Sequence, residues 1–224
     1  MIAENVRNVR QRVTSACQRI GQKPEYITLV AVSKTIGGSG IHEVMNSGVF
    51  DIGESYVQEL RQKRVEIPDE KIRWHFIGHL QTNKVKYIAE WIHLIHSVDS
   101  LALGREISKY AGKFGRNVDV LLEANTSGED TKYGVTADDA RNILKELTQL
   151  PNINVTGLMT IGPLRQDPEE SRQSFRALNE LKKSLEQDGF HLPILSMGMT
   201  NDFEIAIEEG ANMVRIGTAI FGNR

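Results

Sequence analysis

"LVAVSKTIGGSGIHEVMNSG", residues 29–48, holds one complete copy of the unit that organises the whole chain. An apolar, β-branched run reads as a strand over residues 28–34, because such side chains fit a pleated, buried surface. Ser33 and Lys34 lead into a loop carrying Gly37, Gly38 and Gly40. A helical pattern follows at about residues 39–47, and Gly48 stands where a helix ends in a left-handed residue without Cβ.

The same alternation continues outward in both directions. Apolar runs predict further strands at residues 49–53, 72–77, 94–98, 118–125, 154–160, 193–196 and 213–216. Between them lie helical patterns at 56–64, 81–90, 100–114, 137–150, 169–188 and 202–209. Gly189 and Gly210 repeat the terminating role of Gly48. Asp99 is placed to cap the helix after the fourth strand, and Thr136 with Asp139 has the spacing of a reciprocal cap. Eight consecutive βα units call for a parallel sheet and favour a closed (β/α)8 TIM barrel. An open doubly wound sheet is the alternative, and it differs by a reversal of strand order that sequence does not display. Ahead of the first strand, Val6, Val9, Val13, Cys17 and Ile20 mark an additional N-terminal amphipathic helix over residues 3–20, stopped by Gly21 and Pro24. No Pro-, Gly- or Ser-rich linker divides the chain, so residues 1–224 are expected to form a single domain.

Composition narrows the class. With 224 residues and 40% hydrophobic side chains the chain can bury a full core. Twenty-seven basic against 29 acidic residues give a net charge of −2, which supplies no overall field for a polyanion. The two lysines of "NKVKY" are too few for a nucleic-acid surface. A single cysteine, Cys17, excludes an intramolecular disulfide, and no run of about 20 apolar residues offers a spanning helix. A cytoplasmic location, without membrane or nucleic-acid partners, is the expectation.

Lys34 stands at the C-terminal end of the first strand, on the face shared by Thr28, Val30 and Val32. That end of a barrel carries the chemistry. One reading is a lysine whose stem covers apolar surface while its ammonium reaches water. The other is a Schiff-base lysine for a carbonyl ligand, which must be held near a pocket mouth to supply free amine near neutrality. The adjacent "IGGSG" matches neither a dinucleotide fingerprint nor a P-loop.

Two late loops fit the far end of such a ligand. "ILSMGMTND" (194–202) and "VRIGTAIFG" (214–222) follow the seventh and eighth strands, the usual phosphate position of this barrel. Ser196, Thr200 and Thr218 offer hydroxyls there, and Gly198 and Gly217 permit close backbone approach. Each glycine also suits a simple turn and each hydroxyl a local cap. Arg215 in the last strand either pairs with a carboxylate or faces the ligand; beside the nitrogen of a pyridine ring, its permanent charge keeps that nitrogen unprotonated. Glu54, Ser55, His75, His79, Glu123, Asn125, Lys132, Met159 and Thr160 are further polar or soft groups at strand ends. His75 also suits a satisfied core position; neither it, His79 nor Cys17 has the setting of a zinc ligand. Trp74, Phe76 and Trp91 read as packing residues. The polar stretch 162–171 is a candidate lip over the mouth.

"AVSKT", "GESYVQE", "WHFIGHLQTNK", "TKYG", "LSMGMTNDFEIAI" and "VRIGTAIFG" occur in that order over nearly the whole chain. On these motifs the chain resembles the pyridoxal 5'-phosphate homeostasis protein family, single-domain relatives of the N-terminal barrel of bacterial alanine racemase and other fold type III enzymes. The resemblance implies that Lys34 carries the cofactor as a Schiff base. It also implies that Ser196, Gly198, Met199 and Thr200, with Arg215, Gly217 and Thr218, hold the cofactor and its phosphate. Two positions depart from the family pattern: Ser55 stands where asparagine is frequent and lacks its amide, and Thr200 replaces serine but keeps the hydroxyl. The implied role is maintenance of the intracellular cofactor pool, with effects on amino-acid and keto-acid balance and no dedicated turnover. A monomer is expected, and pyridoxal-phosphate-dependent apoenzymes or regulatory proteins are the partner class. A racemase or decarboxylase is the enzymatic alternative; a two-base racemase needs a second group opposite the lysine, for which Tyr56 and Tyr133 are the candidates.

Overall fold

The computed structural model describes residues 1–127, 133–163 and 167–222. Helix α1 (Ile2–Arg19) is followed by strand β1 (Thr28–Val32), α2 (Gly38–Asn46), β2 (Asp51–Glu54), α3 (Val57–Glu66) and β3 (Arg73–Phe76). The middle comprises β4 (Leu94–Val98), α4 (Leu101–Lys113), β5 (Val118–Glu123), α5 (Ala137–Leu147) and β6 (Ile153–Met159). α6 (Arg172–Gln187), β7 (Ile194–Ser196), α7 (Phe203–Glu208), β8 (Met213–Ile216) and α8 (Thr218–Phe221) complete the order. The eight strands run in sequence order around a closed parallel barrel. Closure is made by β1 on β8, with Thr28 opposite Met213 and Ala31 opposite Ile216, so the open sheet is excluded.

Strand periodicity sorts the side chains into two layers. Val30, Leu94, Leu121, Met159 and Met213 meet inside the barrel. Their chain neighbours Ala31, Ile95, Leu122, Leu158 and Val214 face outward under the helices. Burying each such aliphatic side chain contributes about 1.5–3 kcal/mol. By the same two-residue period Val32, His96, Glu123 and Arg215 share the inward face one layer nearer the C-terminal mouth.

α1 buries Val6, Val9, Val13, Ala16 and Cys17 and packs on α7, α8 and α2. Asn5 Nδ2 donates to the Ile220 carbonyl over 2.9 Å, and Arg12 and Arg19 pair with Glu204 and Glu208. The helix thereby lies across the seam where the last βα unit meets the first. Ile20 falls beyond its last turn and is 41% exposed. Gly48, Gly189 and Gly210 all have positive φ, as helix-ending residues do.

Three local expectations are corrected. The segment 81–90 is not an α-helix: a 3-10 turn spans Thr82–Tyr87 with no side-chain cap. Val85, Ile88 and Ile92 are buried at mixed steps of three and four, which successive tight turns satisfy as well as a helix does. α4 is capped by Ser100, whose hydroxyl accepts from Leu103 N–H at 3.4 Å, while Asp99 lies 3.5 Å from His79. β1 ends at Val32, two residues early, because the chain turns there. The Thr136 cap does form: its hydroxyl accepts from the Asp139 N–H at 3.2 Å and donates to the Asp139 carboxylate at 2.7 Å. No helix among the described residues is long and apolar enough to cross a membrane.

Candidate functional site

The turn after β1 builds the near wall. Ile36 N–H donates to the Ser33 carbonyl at 2.8 Å, and Thr35 takes φ +65°, a left-handed conformation that costs a branched residue about 1–2 kcal/mol. Something must hold it, and α3 does. Thr35 N–H donates to Glu59 Oε1 at 2.5 Å. The buried Lys63 ammonium donates to the Ser33 carbonyl (2.6 Å), to Glu54 Oε1 (2.6 Å) and to Glu59 Oε1 (2.7 Å). Ser33 Oγ also donates to Glu54, at 2.5 Å. Burial pushes the Glu54 carboxyl above its ordinary range, against the opposing pull of Lys63 and Ser33. On this support Lys34 is exposed and lines a cleft of about 340 Å³ at the barrel mouth.

The opposite wall comes from the loops after β7 and β8. Met199, Thr200, Asn201, Asp202, Gly217 and Thr218 line the same cleft. Thr200 Oγ1 accepts from the Ala219 N–H at 3.3 Å and so ties the two loops together. α7 and α8 have six and four residues, so their dipoles add little; the donors on this wall are hydroxyls and loop amides. The Met199 N–H is already spent, donating to Asp202 Oδ1 at 2.7 Å. Ser171 Oγ satisfies the other Asp202 oxygen at 3.1 Å. Gly198 and Ser196 are not on the lining. Gly198 has φ +90°, and a Cβ there would stand 2.5 Å from Ala206 Cβ and 2.8 Å from Phe203 Cα. The close approach of α7 therefore requires a glycine at this position.

Arg215 forms the floor. It is 4% exposed and lines the cleft. Nη1 donates to the Ser196 carbonyl (2.9 Å) and hydroxyl (2.7 Å), and Nη2 donates to the Thr160 carbonyl (2.9 Å). Burial brings its pKa down to about 10, opposed by the charges of Glu123 and Asp202, so it stays a cation at neutral pH. Among the described residues it makes no carboxylate hydrogen bond, and it lines the cleft. Ser196 accepts from Arg215 and bonds His96 Nδ1 at 2.9 Å; it sits beneath the arginine.

Ser55 lines the cleft beside Lys34. His75 is a buried core histidine bonded to Asp51 and His96. His79 is exposed and stacks on Tyr133 with centroids 4.0 Å apart. Asp51, His75 and His93 bring ligand-type atoms within 4.8 Å of one another. Arg73 nevertheless occupies both Asp51 oxygens, at 2.7 and 2.5 Å, and its positive charge opposes a cation there. Glu123, 4% exposed, has its carboxyl raised to about 7 by burial and by the Asp99 charge, with Arg215 pulling the other way. Trp74 and Phe76 are buried and Trp91 packs against the core. Lys132 and residues 164–166 of the lip lie outside the described residues; Pro163, Pro168 and Ser171 from its two flanks line the cleft.

Sequence reasoning missed Lys63, Glu59, Asp202 and His96. Glu59 and Lys63 carry a signal, an i,i+4 pair of opposite charge on a helix. Asp202 carries one as a potential cap at a helix start. His96, inside "LIHSV", breaks the apolar run of a buried strand. Chemically, the cleft offers an amine on one wall, hydroxyls and a loop backbone on the other, and a fixed guanidinium between them. A small aldehyde bearing a remote anion and a ring nitrogen matches that set in kind and order.

A family model described as "Alanine racemase, N-terminal domain" matches residues 2–224. The chain is 45% identical to the pyridoxal phosphate homeostasis protein of Aquifex aeolicus, over 99% of this chain and 97% of that protein. It is 40% identical to that of Pseudomonas aeruginosa, over 100% of this chain and 96% of that protein. The structure of PipY of Synechococcus elongatus with PLP bound superposes with a TM-score of 0.87 at 34% identity, covering 99% of this chain and 100% of that one.

Proposed function

Because the chain belongs to the pyridoxal phosphate homeostasis protein family, we propose that it holds pyridoxal 5'-phosphate in the mouth cleft, covalently through Lys34. In forming the Schiff base the Lys34 amine nitrogen makes a C=N bond with the aldehyde carbon, and the aldehyde oxygen leaves as water with the two amine hydrogens. Thr200, Gly217 and Thr218 receive the phosphate. Arg215 faces the ring nitrogen and keeps it unprotonated, which weakens the ring as an electron sink. The observation that carries this reading is that Lys34 and the Thr200–Gly217–Thr218 wall line one cleft of about 340 Å³, with the Arg215 side chain as its floor.

In this reading the protein is a cytoplasmic, monomeric holder of the cofactor rather than a turnover enzyme. It buffers the free pool, and through it amino-acid and keto-acid balance, and apoenzymes that use the cofactor are its partner class. The racemase alternative is disfavoured because neither Tyr56 nor Tyr133, its two candidates for the group opposite the lysine, is among the described residues lining the cleft.

The test is spectroscopic. Purified protein mixed with pyridoxal 5'-phosphate develops a visible band that borohydride abolishes while fixing the cofactor to the chain. Lys34→Ala develops none. A full band in Lys34→Ala would overturn the covalent role, and rapid exchange of the α-proton of an added L-amino acid in deuterated water would overturn the non-catalytic one.

A further inference from the structure

Beneath Arg215 the barrel contains an unbroken polar chain. Ser196 Oγ lies 2.7 Å from Arg215 Nη1 and 2.9 Å from His96 Nδ1. His96 Nε2 lies 2.9 Å from His75 Nδ1, and His75 Nε2 lies 3.0 Å from Asp51 Oδ1. Ser196, His96 and His75 are each 0% exposed. The chain ends at the opposite, N-terminal end of the barrel, where Asp51 is bridged by Arg73, whose side chain is 49% exposed.

The two ends fix the direction of every bond. A guanidinium only donates and a carboxylate only accepts. Asp51 therefore takes the proton of His75 Nε2. With burial holding His75 neutral, its Nδ1 is bare and accepts from His96 Nε2–H. His96 is neutral for the same reason, so its Nδ1 accepts the Ser196 hydroxyl proton. The Ser196 oxygen in turn accepts from Arg215. No link can reverse alone without leaving a buried group unpaired, which costs more than the bond itself contributes.

We propose that Asp51, His75 and His96 are positioning residues for Arg215: through Ser196 they form a one-way hydrogen-bond chain that couples the surface ion pair Arg73–Asp51 to the guanidinium at the floor of the cleft. The role of Arg215 toward a bound pyridine ring rests on the function proposed above; the chain and its polarity do not. Its chemical consequence is that the Ser196 proton is committed to His96 and is not offered to a ligand.

Two measurements need no cofactor. Nitrogen-15 spectra of histidine-labelled protein at about pH 8, above the ordinary histidine pKa, are expected to show both His75 and His96 as neutral rings protonated at Nε2. A ring protonated at Nδ1, or doubly protonated, overturns the polarity. In Asp51→Asn, or in Arg73→Gln if the former does not fold, the His75, His96 and Arg215 side-chain resonances are expected to move together. An unmoved Arg215 overturns the coupling. With the cofactor, Ser196→Ala is expected to keep the visible band but shift its pH midpoint by about one unit, the size of one hydrogen bond to a charged group. An unshifted midpoint counts against positioning. Absence of any band in the unmodified protein would instead overturn the Schiff-base reading, leaving the chain to be decided by the resonances.

Discussion

The Lys63 ammonium donates to the Ser33 carbonyl oxygen over 2.6 Å, one residue before Lys34. A buried cation on α3 thus anchors the turn from which the amine of the cleft projects, and the same cation compensates Glu54 and Glu59.

Lys63→Met is expected to destabilise the fold by about 3–5 kcal/mol, because it leaves buried carboxylate without its partner. It should also weaken cofactor band formation by loosening the Thr35 turn. Urea denaturation checks the first effect and titration with pyridoxal 5'-phosphate the second. Adding Glu54→Gln to Lys63→Met should recover part of the lost stability, since the buried charge goes with it.

Gly198→Ala is expected to cost about 2–4 kcal/mol, combining a left-handed backbone with overpacking against Phe203 and Ala206. Thermal and urea denaturation measure it. A cost near zero would mean that α7 yields to the methyl group at no expense.

Glu123 sets a pH dependence of stability. Its folded carboxyl is raised to about 7 from an ordinary 4.5, so between these values the folded state binds more protons than the unfolded one, and stability falls as pH rises through that window. The contribution amounts to about 3 kcal/mol, present in full below the lower value and lost above the upper. Glu123→Gln should therefore equal the unmodified protein near pH 4 and exceed its stability near pH 8. Denaturation midpoints across that range decide it.

Asp51 works in the opposite sense. Burial raises its carboxyl, but hydrogen bonds from His75 and Arg73 outweigh that and bring it down to about 2 from 3.8. Its stabilisation is present above the ordinary value and is lost as pH falls toward the lower one. Asp51→Asn should flatten the acid limb of the stability profile below about pH 4.

Cys17 is fully buried on the inner face of α1, and burial, then the charge of Glu25, raises its thiol pKa. Thiol reagents should label the native protein only at the rate at which α1 opens, and rapidly in denaturant. Fast native labelling would show that α1 detaches easily.

Periodicity made the barrel legible, because each βα unit carries its own strand run, loop and helix stop, and eight of them leave little choice of architecture. Lys34 was legible for a related reason: position along a strand determines the end at which a residue emerges. The 81–90 segment was misread because Val85, Ile88 and Ile92 suit tight turns and a helix equally. The cap at Ser100 was misassigned by one residue to a neighbour of equal capping strength. What stayed hidden depends on contacts remote in sequence. His96 meets Ser196 across 100 residues, and nothing local in either stretch shows that the histidine bonds the Ser196 hydroxyl. The packing demand on Gly198 is hidden for the same reason, since the helix it accommodates is identifiable only once folded.

The strap formed by α1 over the β8–β1 seam bears on the order in which the molecule can assemble during synthesis. The helix is translated before any strand of the barrel, yet the surfaces it covers on α7 and α8 follow only after β7. A nascent chain halted before Phe203 presents Val6, Val9 and Val13 to solvent or to a chaperone, and completion of α7 and α8 releases that handhold.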